Sequence, residues 1–315
     1  MIDARRFVYI STTLCFLGTA ILLKEAHLSL GFNHLPVNLP LLVAASFLPV
    51  AVYRSEGIAW LDRIVCGFEC LGLFVTIVLI GATASYAMAA LSSGWIDDSL
   101  IYGDQLIGLD WLGYWNLVQS HPLLNDILST AYKSISASPS LIIAALAAAG
   151  HFDRLYRFLA AYLICLFLAD ISLVYFPATS AAAHYLPHNA PNMPLAGSSH
   201  IAVIEGLRIG TLKTVQVADM IGLITVPSFH AICCILYVWA TWNLGKLRHV
   251  FLATNGAMLL STPIHGGHYF SDIAIGIIVA VLAIMACKYF TISRMTSRRR
   301  KANKVPTPEG RPSFI

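Results

Sequence analysis

The chain alternates long apolar runs with short polar connections. Runs long enough to cross about 30 Å of hydrocarbon as an α-helix occur at residues 7–23, 37–53, 64–91, 128–150, 157–177, 220–244, 249–264 and 269–290. Arg5 and Arg6 precede the first run, as in a secretory signal peptide, but no convincing small-residue cleavage site follows it. We therefore predict eight membrane-spanning helices, with the first run retained as one of them.

Composition supports this reading. The 315 residues are 57% hydrophobic and 11% charged, with a mean hydropathy of +0.72, whereas a soluble domain is typically about 25% charged. The seven cysteines lie inside or at the edge of apolar runs, without the spacing of a zinc site or a disulfide framework. We interpret the chain as a polytopic, all-α integral membrane protein with buried cysteines.

Most basic residues lie at the ends of the apolar runs, where they can contact lipid head groups. The net charge is +4, and most Lys and Arg residues flank apolar runs or belong to the tail after about residue 294. This pattern indicates contact with anionic lipid and does not form the basic stripe that nucleic-acid binding requires. We expect membrane lipids as partners, no nucleic acid, and a disordered tail.

Lys and Arg counts in short loops predict the orientation. One side of the eight-span arrangement carries Arg5, Arg6, Arg54, Arg63, Arg154, Arg157, Lys246, Arg248 and the tail from Lys288 onward. The segment 92–127 has five Asp and no Lys or Arg, and the segment 178–219 has only Arg208 and Lys213. We expect both termini in the cytoplasm and these two segments outside. Trp111 and Trp115 predict a short helix in the outer interface.

Two polar motifs fall on the same predicted outer side. "VPSFHA" starts the sixth run with Pro227, Ser228 and His230, and "HGGHYFSD" lies between the seventh and eighth runs with His268 and Asp272. His268 and Asp272 are four residues apart, so the carboxylate can accept a hydrogen bond from one imidazole nitrogen and leave the other as a nucleophile or base. Ser228 and the free N–H groups of the helix start favour anion binding.

Other interpretations remain open at this point. His265, His268 and Asp272 could be metal ligands, with His230 as a fourth. Asp170, inside the fifth run, is either a structural polar contact or a relay. The remaining histidines that we consider are interpreted as ordinary polar groups at an interface: His27, His34, His121, His151 and His249.

The two motifs resemble a known family. "PSFH" and "STPIHGGHYFSD" are similar to the second and third signature motifs, PSGH and SRxxxxxHxxxD, of the type 2 phosphatidic acid phosphatase (PAP2) superfamily. They look closest to the inositolphosphotransferase branch, the enzymes similar to inositol phosphorylceramide synthase, with PSxH and HYxxD. The likeness covers about residues 104–288. It implies a PAP2-like helix bundle: an N-terminal hairpin at 1–63, a catalytic domain with a six-helix core at 64–293, and the tail at 294–315.

The resemblance also implies roles for individual residues. His268 would be the nucleophile that forms a phosphohistidine, Asp272 would orient it, His230 would protonate the leaving group and Ser228 would bind phosphate. No metal or other cofactor is implied. Thr262 stands where the wider family has a phosphate-binding arginine, and a clean KxxxxxxRP first motif is missing. The substrate-binding candidates beside Ser228 are therefore Arg208, Lys213, His265 and Thr262.

The function expected from these roles is hydrolysis of a lipid phosphate at the outer leaflet. Transfer of a phospho-head group, such as inositol phosphate, between lipids is the alternative, since water and an alcohol acceptor use the same residues. A transporter or a non-catalytic lipid-binding protein would instead place its polar residues at mid-membrane along broken helices. The expected substrate is a lipid phosphate or phospholipid, and the expected setting is a bacterial inner membrane with the site facing the periplasm.

Overall fold

The computed structural model describes residues 2–33, 38–52, 58–187, 190, 193–194 and 197–291. The predicted disordered tail lies outside the described residues. Helices make up about 75% of the structure, which confirms the all-α prediction. The described helices are α1 (Ala4–Glu25), α2 (Asn38–Val52), α3 (Ala59–Ala90), α4 (Asp97–Leu106), α5 (Trp111–Gln119), α6 (Pro122–Lys133), α7 (Ser138–Ala148), α8 (Phe152–Tyr175), α9 (Ala181–Tyr185), α10 (Ser199–Arg208), α11 (Phe229–Thr241), α12 (Leu247–His265) and α13 (Phe270–Ala286).

Several of these helices fit an integral membrane protein. Each of the eight predicted runs overlaps at least one helix. The helices differ in length, and only some of them are long enough to cross a membrane. By length and composition, four described segments can cross a membrane: α1, α3, α8 and Phe270–Tyr289. The pair α6 and α7, bent by 61° at its junction, makes a fifth if it is counted as one span. α11 is apolar but shorter than a full span.

The sixth predicted run differs most from its prediction. The sequence indicated a helix from 220 to 244, whereas α11 begins at Phe229 and most of the preceding segment is extended or bent. Pro227 explains this start, because it lacks an N–H group and restricts the residue before it to extended conformations. Ser228 then caps the helix, with its hydroxyl oxygen accepting from Ala231 N at 3.4 Å.

The bundle is organised around α3 and α11. α3 packs against α1, α2, α7 and α8, and α11 packs against α8, α12 and α13. α1 is fixed to α3 by the fork of Arg5, whose Nε and Nη2 donate to the two carboxylate oxygens of Glu69 at 2.7 and 2.8 Å. α3 runs without a break across the proposed domain boundary at residue 63, and the division into hairpin and catalytic domain stays a prediction.

Two short parallel strand pairs connect distant parts of the chain. β1 (Ile2–Asp3) pairs with β4 (Phe290–Thr291), with Ile2 opposite Phe290. β2 (Ser29–Gly31) pairs with β3 (Thr214–Gln216), with Ser29 opposite Thr214. The second pair joins the chain after α1 to the segment that leads into α11.

The start of α11 lies well inside the bundle. The ring of Phe229, its first residue, meets the ring of Tyr162 edge-on, with centroids 5.5 Å apart, and Tyr162 is near the middle of α8. On the other side, a Cβ added to Gly276 of α13 would lie 2.6 Å from the carbonyl oxygen of Ser228. Glycine at 276 therefore allows the close approach of α13, and the polar motif sits deeper than the end-of-span position that the sequence suggested.

Candidate active site

The structure brings the two histidines of the sequence motifs together. His230 lies in the first turn of α11 and His268 in the loop between α12 and α13. Their ring centroids are 6.3 Å apart. Both line one cavity of about 530 Å³. The site therefore depends on the packing of α11 against α13, since the two residues are far apart in the sequence.

His268 is held against Asp272. Its Nδ1 lies 3.0 Å from Asp272 Oδ1, and both side chains are largely buried. This contact is a close approach without an aligned hydrogen bond, because Oδ1 has no partner of good geometry. The other oxygen, Oδ2, accepts from the backbone N–H of Tyr269 at 3.0 Å. Because Nδ1 faces Asp272, Nε2 of His268 is the nitrogen available for chemistry.

A second carboxylate fixes the start of α13. Asp104 of α4 is 2% exposed and accepts from the backbone N–H groups of Phe270 and Ser271 at 3.1 and 2.7 Å. These N–H groups have no partner within the helix, and an acid at this end is also favoured by the helix dipole. Asp104 thus sets the direction in which α13 presents Asp272.

Trp111 holds the loop that carries His268. Its Nε1 is within donating distance of the carbonyl oxygens of His268, at 3.1 Å, and Pro263, at 3.2 Å. The sequence prediction of a short helix is correct, because α5 begins at this residue. Trp111 is 2% exposed, because its ring stacks on Trp115 and Tyr185, and the position of α5 in the outer interface stays a prediction.

Asp97 joins the segment at Thr179 and Ser180 to the loop that carries His268. It accepts from Thr179 N and Oγ1 at 2.9 and 2.8 Å, from Ser180 N at 3.2 Å, and from Tyr269 OH at 2.8 Å. Sequence reasoning missed this residue, Asp104, Tyr269 and Ser180. The available signal was the cluster of Asp residues after α3. The prediction of orientation used this segment only because it lacks Lys and Arg.

Gly267 is required by the shape of the loop. Its φ of +70° lies in the left-handed region that favours glycine. A Cβ at this position would lie 2.8 Å from Cα of Gly197. Its carbonyl oxygen accepts from Ala181 N at 2.8 Å. The "HGGH" motif therefore lets two backbone segments meet beside His268.

His230 is positioned by an aromatic stack. Its ring lies 4.1 Å from the ring of Tyr132, at an interplanar angle of 12°. Nε2 of His230 is buried and has no hydrogen-bond partner in the described part of the chain. Tyr132, at the end of α6, lines the same cavity and was also missed from the sequence. The stack leaves one nitrogen of His230 free for a substrate.

Ser228 and Thr262 are both engaged in helix structure. Ser228 is fully buried, caps α11 through its Oγ, and donates its backbone N–H to the carbonyl oxygen of Asp272 at 3.2 Å. Thr262 donates its hydroxyl to Met258 O at 2.8 Å. Neither residue lines the cavity. In this arrangement each stabilises a helix that carries the site and does not face a substrate.

Arg208 lies away from the cavity. Its Nε donates to Ser92 Oγ at 3.0 Å and its Nη2 to Gly94 O at 2.9 Å. The guanidinium carbon is 4.2 Å from the ring centroid of Trp95, and partial burial lowers the pKa of the Arg208 guanidinium. These partners of Arg208 all lie in the loop between α3 and α4, and Arg208 does not line the cavity.

The other two candidate phosphate ligands differ from each other. Lys213 is exposed, and its backbone oxygen accepts from Ser29 N at 2.9 Å beside the β2–β3 pair. His265 lies next to the site, with its ring 6.2 Å from that of Tyr132 and a buried Nε2 without a hydrogen-bond partner in the described chain. His265 therefore lies beside Tyr132 at the edge of the site without lining the cavity, and Lys213 lies outside the site.

The cavity wall is largely apolar and contains no Lys or Arg among the described residues. Its inner wall is formed by α3, α8 and the extended segment before α11. Its polar groups include His200, which is 2% exposed and has its Nε2 3.3 Å from Ala178 O. Within the described ranges, no three His, Cys, Asp or Glu side chains lie close enough together to hold a metal ion. The arrangement suits nucleophilic and acid–base chemistry by histidine.

Comparison with known proteins identifies the family. A sequence model of the PAP2 superfamily matches residues 98–286, a range that contains both histidines, Asp104 and Asp272. Neither the comparison with curated proteins nor that with solved structures gives a match. The matched range covers more than half of the chain and ends at Ala286, the last residue of α13. The chain belongs to the PAP2 superfamily.

Proposed function

We propose that this protein hydrolyses a lipid phosphate through a phosphohistidine on His268. The observation that carries the proposal is the approach of His230, His268 and Asp272 around one cavity. Members of the PAP2 superfamily are membrane phosphatases or phosphotransferases, which supports the same class of reaction. The substrate is a phosphate ester whose alcohol is a lipid.

The reaction divides into two displacements. In the first, Nε2 of His268 attacks phosphorus; the P–N bond forms, the P–O bond to the lipid breaks, and protonated His230 gives its proton to the leaving oxygen. In the second, His230 takes a proton from water, which attacks phosphorus and releases inorganic phosphate from His268. Asp272 stabilises the positive charge that develops on the His268 ring. A positioned acid of this kind typically contributes about 10²–10⁴-fold to the rate.

A second candidate is transfer of a phospho-head group to an alcohol. The specific observation in its favour is the lack of Lys and Arg in the described cavity wall. A phosphomonoester carries up to two negative charges, which favour cationic donors, whereas a phosphodiester carries one. Neutral donors in the wall suit the diester better. The inositolphosphotransferase branch, which the motifs resemble, would use the same histidines with an alcohol in place of water.

Transport is the candidate from another class. The bent α6–α7 pair and the deep start of α11 are features that transporters also use around a substrate. In this chain they surround a close His–Asp pair and a second histidine with a free nitrogen, which supports chemistry on the bound molecule. Turnover by purified protein in detergent, where there is no gradient, separates the two classes.

Purified full-length protein can be assayed in detergent against lipid phosphomonoesters and phosphodiesters, with and without alcohol acceptors. We expect phosphate release from a monoester and loss of that release in His268→Asn. Release of a diacylglycerol only when an alcohol is present would support head-group transfer. An acid-labile phosphoryl group on the wild-type protein, lacking in His268→Asn, supports the intermediate. Equal turnover by wild type and His268→Asn would contradict both proposals.

The basic loops support a site facing the outer side of a membrane, and we propose the periplasmic face of a bacterial inner membrane. Sealed right-side-out vesicles should turn over a short-chain, water-soluble substrate without permeabilisation. If turnover appears only after permeabilisation, the proposed orientation is wrong, while the reaction itself is unaffected.

A further inference from the structure

A second concavity lies at the other end of α11. It has a volume of about 550 Å³ and runs between the C-terminal half of α11 and α12, which we call the α11–α12 groove. It shares no described lining residue with the cavity that contains the histidines. His230 is in the first turn of α11. The groove is lined by Trp239, in the last turn of α11, and by Trp242, the residue that follows the helix. The groove is therefore separate from the proposed active site.

One cation lines the mouth of the groove, and a second lies beside a tryptophan of its rim. Arg154 lines it and donates from Nε to Ala240 O at 3.3 Å and from Nη2 to Trp239 O. These bonds cap the C-terminus of α11 and use two of the five N–H donors of the guanidinium. Arg248 lies with its guanidinium carbon 5.6 Å from the ring centroid of Trp242. None of the described lining residues is Asp or Glu.

The floor of the groove follows one face of α12. Leu252, Asn255, Gly256 and Leu259 all line it, and Arg248 precedes them by one turn, at the i, i+4, i+7 spacing that places side chains on one side of a helix. No atom lies within 4 Å of a Cβ built at Gly256, so the groove is open at this position. The face changes from a cation at one end to apolar side chains at the other.

Asn255 supplies an independent sign of a ligand. It is 1% exposed, and its Nδ2 donates to Phe251 O at 2.7 Å. Its Oδ1 is buried and has no hydrogen-bond partner in the described chain. A buried polar atom usually has a partner, and this one belongs to a residue that lines an open groove. Seven residues after Arg248, it lies about 10 Å farther along the helix.

We propose that the α11–α12 groove binds one anionic phospholipid. The lipid phosphate lies at the remaining N–H donors of Arg154 and at Arg248, with Trp242 beside it at the rim. The amide of Asn255 bonds to the backbone of the lipid, directly or through a water. One acyl chain then follows the surface left open by Gly256. Charge complementarity favours an anionic lipid over a zwitterionic one, since the mouth offers cations and no carboxylate among its described residues.

The test uses the full chain in phosphatidylcholine vesicles that contain a minor fraction of phosphatidylglycerol. Bromine on the acyl chains quenches nearby tryptophans, and Trp239 and Trp242 both line the groove. We expect brominated phosphatidylglycerol to quench the protein severalfold more than the same fraction of brominated phosphatidylcholine. Added salt should reduce this difference because it screens the charged contacts. Equal quenching by the two lipids in the wild type would overturn the proposal.

Matched variants locate the effect. Gly256→Leu fills the groove, and Asn255→Leu keeps the approximate volume while removing the polar contact; both should lose most of the preference for phosphatidylglycerol. Ala253→Leu adds the same side chain at an exposed position of α12 that does not line the groove, and it should keep the preference. If Gly256→Leu and Asn255→Leu both retain the wild-type preference, the lipid binds elsewhere. Unchanged circular dichroism and thermal unfolding of each variant establish that it is folded.

Occupation of the groove by a second copy of the chain is an alternative outcome of the same experiment. A dimer that covers the groove would keep both brominated lipids out, so the preference for phosphatidylglycerol would be missing in the wild type and Gly256→Leu would change the mass of the complex. That result would overturn the lipid assignment.

Discussion

Tyr132 and His230 lie face to face, with ring centroids 4.1 Å apart and ring planes 12° from parallel. The tyrosine comes from the end of α6 and the histidine from the start of α11, so the stack joins the bent α6–α7 pair to the candidate acid. It limits the rotation of the imidazole and leaves its buried Nε2 unpaired. This relationship yields the first prediction.

Tyr132→Leu should lower kcat by about two- to tenfold, which corresponds to the typical free energy of an aromatic pair. The reason is that His230 would sample orientations in which it cannot protonate the leaving group. Tyr132→Phe is the matched control, since it keeps the stack and removes only the hydroxyl. Steady-state kinetics on folded protein should give near wild-type kcat for Tyr132→Phe; a loss as large as that of Tyr132→Leu would assign the effect to the hydroxyl instead.

Asp272→Asn should reduce turnover by about 10²-fold or more, because a positioned acid–base group needs the correct tautomer of its histidine partner. The amide oxygen of Asn can still accept from Tyr269 N, so the start of α13 should remain formed. Asp104→Asn is the control: it changes a second cap of the same helix without touching His268. Comparable losses in both variants would indicate that Asp272 acts only by holding the helix.

Arg208→Ala should lower the thermal unfolding temperature by a few degrees, since it removes two hydrogen bonds and the contact with Trp95. Turnover per folded molecule should stay within about twofold of the wild type, because Arg208 does not line the cavity. The measurement is kcat on protein quantified as folded. A steep loss of kcat with unchanged thermal stability would instead support the sequence-based hypothesis that the guanidinium reaches the phosphate.

Activity should survive EDTA, because the proposed mechanism uses a histidine nucleophile and a histidine acid, with stabilisation from hydrogen-bond donors and helix N-termini. The assay compares turnover before and after exhaustive chelation, followed by addition of zinc or magnesium. Loss of turnover in EDTA with rescue by one metal would favour the alternative that His230, His265, His268 and Asp272 bind an ion.

The motifs carried most of what could be predicted about the site. The four-residue spacing between His268 and Asp272 predicts their contact, and the structure has the two side chains 3.0 Å apart, although His268 lies in the loop before α13. The pairing of His230 with His268 also followed from placing both motifs on one side of the membrane. The pattern could not predict how far inside the helix bundle α11 begins. A run of apolar residues does not distinguish helix from buried extended chain, so the start of α11 was predicted nine residues too early.

The surrounding hydrogen bonds were not predictable in the same way. Asp104 and Ser271 are 167 residues apart, and Asp97 and Tyr269 are 172 residues apart. No local period or propensity links such positions. The acids were visible in the sequence, but their partners are mostly backbone N–H groups, which are the same at every residue except proline. Only the packing of α4 against α13 selects which N–H groups they meet.

The cap that Asp104 provides for α13 also constrains when the protein becomes active during its synthesis. His230 and Asp104 both leave the ribosome before α13, the helix at whose start Asp272 and the adjoining His268 lie. Until α13 has inserted and its first N–H groups have met Asp104, the nascent chain lacks the contact between His268 and Asp272. Under the mechanism that we propose, a partly inserted chain does not turn over the lipids around it, and turnover reports that α13 has docked.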